Sequence, residues 1–96
     1  MKLVAVEPLT NDTHKYKAVF EREDGRQKTT KFGASGYDDY LTSGNIAKRA
    51  LYRLRHQKDL KTSDPTRAGF LSMFLLWGNS TSLQKNIRDF KAKFDV

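Results

Sequence analysis

A small α+β domain, with a three-stranded antiparallel sheet followed by three helices and the middle helix buried, is predicted by three features of the sequence. Along Lys15–Arg22, apolar Tyr16, Ala18 and Phe20 alternate with mostly polar residues, and Asp24-Gly25 joins this run to Gln27–Phe32, the pattern of a β-hairpin. The stretch Asp64–Gly78, DPTRAGFLSMFLLWG, leaves only Ser72 polar after Phe70, more than one amphipathic face needs, so the helix it forms must be covered on several sides. Leu83, Ile87, Phe90 and Phe94 recur at i, i+4, i+7 and i+11, the spacing of one helix face. At 96 residues the chain holds one domain, 1–96, with a β-rich part over 1–42 and a helical part over 43–96.

The first element is KLVAVE, Lys2–Glu7, whose Val and Leu content favours an edge strand stopped by Pro8. Leu9–His14 is rich in turn formers and connects it to the hairpin. Gly33-Ala34-Ser35-Gly36 ends the sheet, and Tyr37–Leu41 is left open between a short strand and a helical turn. Ile46–Lys58 has helical period: Ala47, Ala50, Leu51 and Leu54 lie within about 140° of Ile46, which places this face, Leu54 included, against the core. In the central helix Asp64 is the expected N-cap, Pro65 the first helical residue and Gly78 a left-handed C-cap. Thr81 and Gln84 suggest a capping box for the last helix. The expected core is Tyr16, Phe20 and Phe32 on the sheet facing Phe70, Phe74 and Trp77, with Leu54, Ile87 and Phe90 from the flanking helices. The apolar run is far short of the roughly 20 residues that cross a bilayer, so no membrane span is expected.

Charge carries the functional signal. The net charge is +7, yet residues 1–42 hold seven acids and seven bases, so the whole excess lies in 43–96, where eleven bases meet four acids. Lys48, Arg49, Tyr52, Arg53, Arg55 and His56 occupy the remaining arc of the helix with no acid among them, and Lys85 and Arg88 lie on the outward side of the last helix. A helix built only for solubility intersperses Glu with Lys, so this unmixed face points to a polyanion or an acidic protein surface. On this view Arg49 and Arg53 act through charge, and their replacement by Gln leaves stability nearly unchanged.

Chemistry finds less support. The absence of cysteine excludes disulfides, zinc-thiolate sites and thiol nucleophiles. His14 and His56 have no adjacent nucleophile pattern, and Asp38-Asp39 are sequence neighbours that point apart. Gly33–Gly36 lacks the Gly-Lys-Ser/Thr ending of a phosphate-cradling loop. No catalytic residue, metal site or cofactor is expected. The opening MKLVAVEP lacks a secretory pattern, which predicts a chain that stays inside the cell.

Taken together, KYKAVF, EDGRQKTTKFGASGYDDYL, AKRALYRLRHQK and DPTRAGFLSMFLLWGNSTSLQKNIRDFKAKF resemble an uncharacterised family of short basic proteins encoded by nucleocytoplasmic large DNA viruses, over about residues 15–95. The most specific parts are Phe32-Gly33-Ala34 with Gly36-Tyr37 and Asp39-Tyr40, Asp64-Pro65 through Trp77, and the Phe90/Phe94 helix. Lys2–Pro8 finds no counterpart, and Gly78 stands where the family pattern more often has Asn. The resemblance implies a viral protein located in the virion or the infected cell's interior, without implying an activity. By analogy it implies a non-catalytic virion assembly protein, a minor capsid or core component of cement-like kind, whose partners are viral capsid or core proteins. A sequence-nonspecific DNA-binding module is the alternative, and a homo-oligomer that completes the apolar helix is a further expectation.

Overall fold

The alternation of the first third of the chain produces a sheet of three antiparallel strands, β1 (Lys2–Pro8), β2 (His14–Glu21) and β3 (Gln27–Ala34), in the order β1-β2-β3. The computed structural model describes residues 1–96. Register places Leu3 opposite Phe20 and Tyr16 opposite Phe32, so the apolar positions of all three strands share one face. Asp24-Gly25 turns the hairpin, Gly25 taking φ 86°, a conformation that glycine adopts without steric cost. The Asp12 carboxylate accepts from Lys31 Nζ at 2.7 Å and from the His14 amide at 2.9 Å, tying the β1–β2 connection to β3. Those bonds, the Lys31 ammonium foremost, hold the Asp12 carboxyl down at about 2.

The open segment after the sheet becomes a single helical turn, α1 (Tyr40–Ser43), with a capping box between Asp39 and Thr42. Helix α2 (Ile46–Arg55) follows from an Asn45 cap and gives way to a 3-10 stretch, Gln57–Thr62, earlier than the helical period of Ile46–Lys58 predicts. The central helix, α3, starts at Ala68–Leu71 and runs without a break into a π-helical stretch, Ser72–Leu76. Helix α4 (Leu83–Phe94) closes the chain.

Three expected helix boundaries are corrected, two by local hydrogen bonding and one by close packing. Asp64 does not cap α3: its carboxylate accepts from the Thr66 amide at 2.9 Å and the Thr66 hydroxyl at 2.6 Å, folding Asp64–Arg67 into a turn. These Thr66 bonds also lower the Asp64 carboxyl below its usual range. The Thr66 carbonyl in turn accepts from the Thr30 hydroxyl at 2.8 Å, fixing the turn to β3 and starting the helix later. At α4 the cap is Ser82, whose side chain accepts from the Lys85 amide, and not Thr81. Gly78 does not take the left-handed C-cap conformation; it is required by close approach, because a Cβ there would lie 2.3 Å from the Phe74 carbonyl oxygen.

The core joins Leu3, Ala18, Phe20 and Phe32 of the sheet to Leu71, Leu75, Leu76 and Trp77 of the central segment and to Phe90 of α4. At the contact between layers Gly33 has φ 77°, and any Cβ would meet Leu76 Cδ1 at 2.7 Å, so α3 rests directly on the backbone of β3. Phe70 and Phe74 turn away from the expected sheet contact towards α4, their rings 5.4 and 5.0 Å from that of Phe94. Phe70 is buried, whereas Tyr16, Phe74 and Ile87 are only half-buried. Leu54 is no core residue: it is 69 % exposed. Buried Asn86, only 2 % exposed, donates to the Leu75 and Ser80 carbonyls and accepts from the Ser80 amide, so it satisfies backbone groups freed where α3 ends. No helix is long and apolar enough to cross a membrane.

Candidate functional site

Helix α2 packs with the face opposite to the one its apolar residues predict. Arg49, Tyr52, Arg53 and His56, at i, i+3, i+4 and i+7, point towards the body of the protein and are half-buried. Ile46, Leu51 and Leu54 face solvent, exposed by 70, 50 and 69 %. Ala47 and Ala50 are exposed beside them.

The cause lies at the end of α3. A helix terminus leaves carbonyl groups without intrahelical donors, and here the two arginines supply them. Arg53 Nη1 donates to the Met73 and Trp77 carbonyls at 3.1 and 3.0 Å. Arg49 Nε donates to the Gly78 carbonyl at 2.6 Å and its Nη2 to Asn79 Oδ1 at 2.6 Å. Guanidinium charge beside the negative end of a helix dipole adds to these bonds. Burial, and secondarily the neighbouring Arg49, lower the pKa of Arg53. Between the arginines the Tyr52 ring lies 4.5 Å from that of Trp77 and 4.1 Å from that of His56, a three-ring stack. Burial raises the Tyr52 hydroxyl pKa, with the Asp59 charge acting in the same direction.

Arg49 and Arg53 are therefore structural ties, and the expectation that they meet a polyanion is corrected by their inward engagement. Arg49→Gln with Arg53→Gln is expected to lower stability by about 2–4 kcal/mol, since several carbonyls lose charged donors. Thermal or urea melts of the double variant check this; an unchanged midpoint would contradict the inward geometry.

The remaining predicted residues do not form one surface. Lys48 is exposed and pairs with Asp38 at 3.2 Å. Arg55 is exposed and has no ion-pair partner, like Lys58 and Lys61 beyond it. Lys85 pairs with Asp89 of its own helix at 3.0 Å, while Arg88 is exposed and unpaired on α4. His56 Nδ1 lies 3.2 Å from Asp59 Oδ2.

Under the inward face of α2 lies a cleft of about 670 Å³, bounded by Gly33, Tyr37, Asp39, Tyr52, His56 and Trp77. Lys15 Nζ donates to the buried Asp39 carboxylate at 2.8 Å and also to the Tyr37 carbonyl. This pair fixes the Gly33–Tyr40 segment over the sheet. The charged groups of the cleft thus already have partners, Lys15 with Asp39 inside it and Asp38 with Lys48 beyond it, and what it offers a ligand is an apolar, aromatic recess.

The signal for the outer ridge was present in the sequence as the Ile46/Ala50/Leu54 stripe, but the helical period assigns residues to a common face without saying which way that face points. A family of unknown function (DUF5754) matches residues 4–56, which hold the sheet from Val4 onward, α1 and all of α2 and stop before α3. No curated protein and no solved structure matches the chain.

Proposed function

This chain belongs to that family of unknown function, and we propose that it is a non-catalytic assembly protein that docks a protein partner on the outer face of α2. The observation that carries the proposal is the outward ridge of Ile46, Leu51 and Leu54. Monomeric proteins seldom leave contiguous apolar side chains uncovered, and an amphipathic helix laid with its apolar side to water is a surface awaiting a partner. The resemblance to short basic proteins of large DNA viruses supports capsid or core proteins as partners, in the virion or the infected cell. Unpaired Arg55, Lys58 and Lys61 favour a second reading, phosphate neutralisation on DNA without sequence readout. That reading leaves the apolar ridge uncovered, so protein docking is preferred.

Leu51→Ser with Leu54→Ser tests the proposal, because both side chains are exposed and their replacement is expected to shift stability by no more than about 0.5 kcal/mol each. Tagged wild-type and variant chains, recovered from cells in which the protein is naturally made, are compared by quantitative mass spectrometry. The expected result is a set of proteins that accompanies the wild type and is lost from the variant. Identical recovery would refute docking through α2. Proteomics of purified virions tests the particle association separately, and absence of the chain there would remove the virion from the proposal.

A further inference from the structure

The outer face of α2 carries two kinds of chemistry in one geometry. Ile46, Ala50 and Leu54 form a line at i, i+4 and i+8, with Leu51 beside it. On a helical projection Arg55, which is unpaired, and Lys48, whose ammonium is paired with Asp38 at 3.2 Å, border the Leu51 side of this line, within roughly 40–60° of Leu51. The Ile46 side is bordered by Arg53, whose guanidinium is already spent on the end of α3. No acidic residue occurs between Gly44 and Lys58. The surface is thus an apolar line with a cationic margin at Arg55, and exposed, unpaired Lys58 and Lys61 follow in the 3-10 stretch after the helix.

We infer that the occupant of this surface is an amphipathic helix with an acidic edge, its apolar side laid along Ile46–Leu54 and its carboxylates set against Arg55 and the adjoining lysines; this rests on the docking function proposed above. Two competing occupants fit less well. In an antiparallel pairing of α2 with a second copy, like edges meet and Arg55 faces the same cationic margin. In a parallel pairing Arg55 and Lys48 face the Arg53 edge. The antiparallel arrangement sets cations against cations, and the parallel one leaves Arg55 without a carboxylate, because α2 carries no acid and the Arg53 guanidinium is turned to the end of α3. Duplex DNA satisfies the cations but presents nothing to cover Ile46 and Leu54. An acidic amphipathic helix satisfies both halves of the surface, as in the side-by-side pairing of amphipathic helices, where anchors at i, i+3, i+4 and i+7 give affinity and flanking charge gives orientation.

The test uses the full chain and labelled synthetic helices of about 18 residues, long enough to span α2. One has Leu at i, i+3, i+4 and i+7 with Glu along one edge; the other carries Lys in place of each Glu. The expected result is binding of the Glu peptide that weakens as salt rises, with no comparable binding of the Lys peptide. Leu51→Ser with Leu54→Ser is expected to weaken it about tenfold or more, and Arg55→Gln by about two- to fivefold with a shallower salt dependence. Equal binding of both peptides, or binding that the Leu51/Leu54 variant leaves unchanged, overturns the inference. So does a concentration-dependent dimer in light scattering that Leu54→Ser dissolves, which would assign the ridge to a second copy. Duplex DNA bound in a way that Arg55→Gln weakens and Leu54→Ser does not would equally overturn it. If partner proteins are lost by the Leu51/Leu54 variant in cells but the Glu peptide does not bind, docking stands and the acidic helix falls. If no protein is lost by that variant, docking itself falls.

Discussion

Gly78→Ala is expected to lower stability by at least about 3 kcal/mol, at or above the upper end of ordinary overpacking, because the added methyl has nowhere to go. Its carbon would lie 2.3 Å from the Phe74 carbonyl oxygen and 3.0 Å from the Asn86 amide group. The first obstacle is backbone, which does not swing aside as a side-chain tip does. Moving Asn86 would in turn break its bonds to Leu75 and Ser80 and expose their carbonyls in a buried place. The Gly78 carbonyl also receives Arg49, so displacement of this residue loosens α2 as well. A domain of this size has a total stability of about 5–14 kcal/mol, so the variant should unfold at markedly lower urea concentration or fail to accumulate. A urea midpoint equal to that of the wild type would mean that the backbone does not approach Phe74 and Asn86 in this way.

Phe20→Ala is expected to cost about 3–5 kcal/mol, the range for deleting a fully buried aromatic ring. Phe20 is 0 % exposed, pairs with Leu3 across β1 and β2, and belongs to the cluster where sheet, α3 and α4 meet. The void left there is lined by residues of the sheet, the central segment and α4 together, and relaxation of one element fills only part of it. Calorimetric or denaturant melts check the loss; a change under about 1 kcal/mol would show Phe20 outside the core. By contrast Phe74 is only half-buried beneath the Arg53 and Lys93 side chains, 5.6 and 5.9 Å from its ring centre, so it is a poorer probe of the core than its apolar neighbourhood in sequence suggests.

Asn86 illustrates why some structural residues escape a sequence reading. It sits on the inward face of α4 among Leu83, Ile87 and Phe90, where a polar residue reads as an interruption. Its value depends on carbonyls that Leu75 and Ser80 present from another segment, and nothing local to α4 announces them.

What the sequence determined by itself was the class of fold and the order of its parts. The alternation of Tyr16, Ala18 and Phe20 and the Asp24-Gly25 turn specify a hairpin, because strand period and turn chemistry are local properties. The apolar density after Phe70 likewise requires a buried central helix, and the Leu83–Phe94 spacing requires an amphipathic last one. Tertiary structure alone decided how α2 is turned. Its sequence separates an apolar arc from a basic one, and burial of apolar area alone would send Ile46 and Leu54 inward. The carbonyls at the end of α3 are the stronger claimants: left unpaired in a half-buried place they would be costly, and Arg49 and Arg53 reach them only when the basic arc faces in. The apolar arc is thereby delivered to the surface, where the proposed partner meets it.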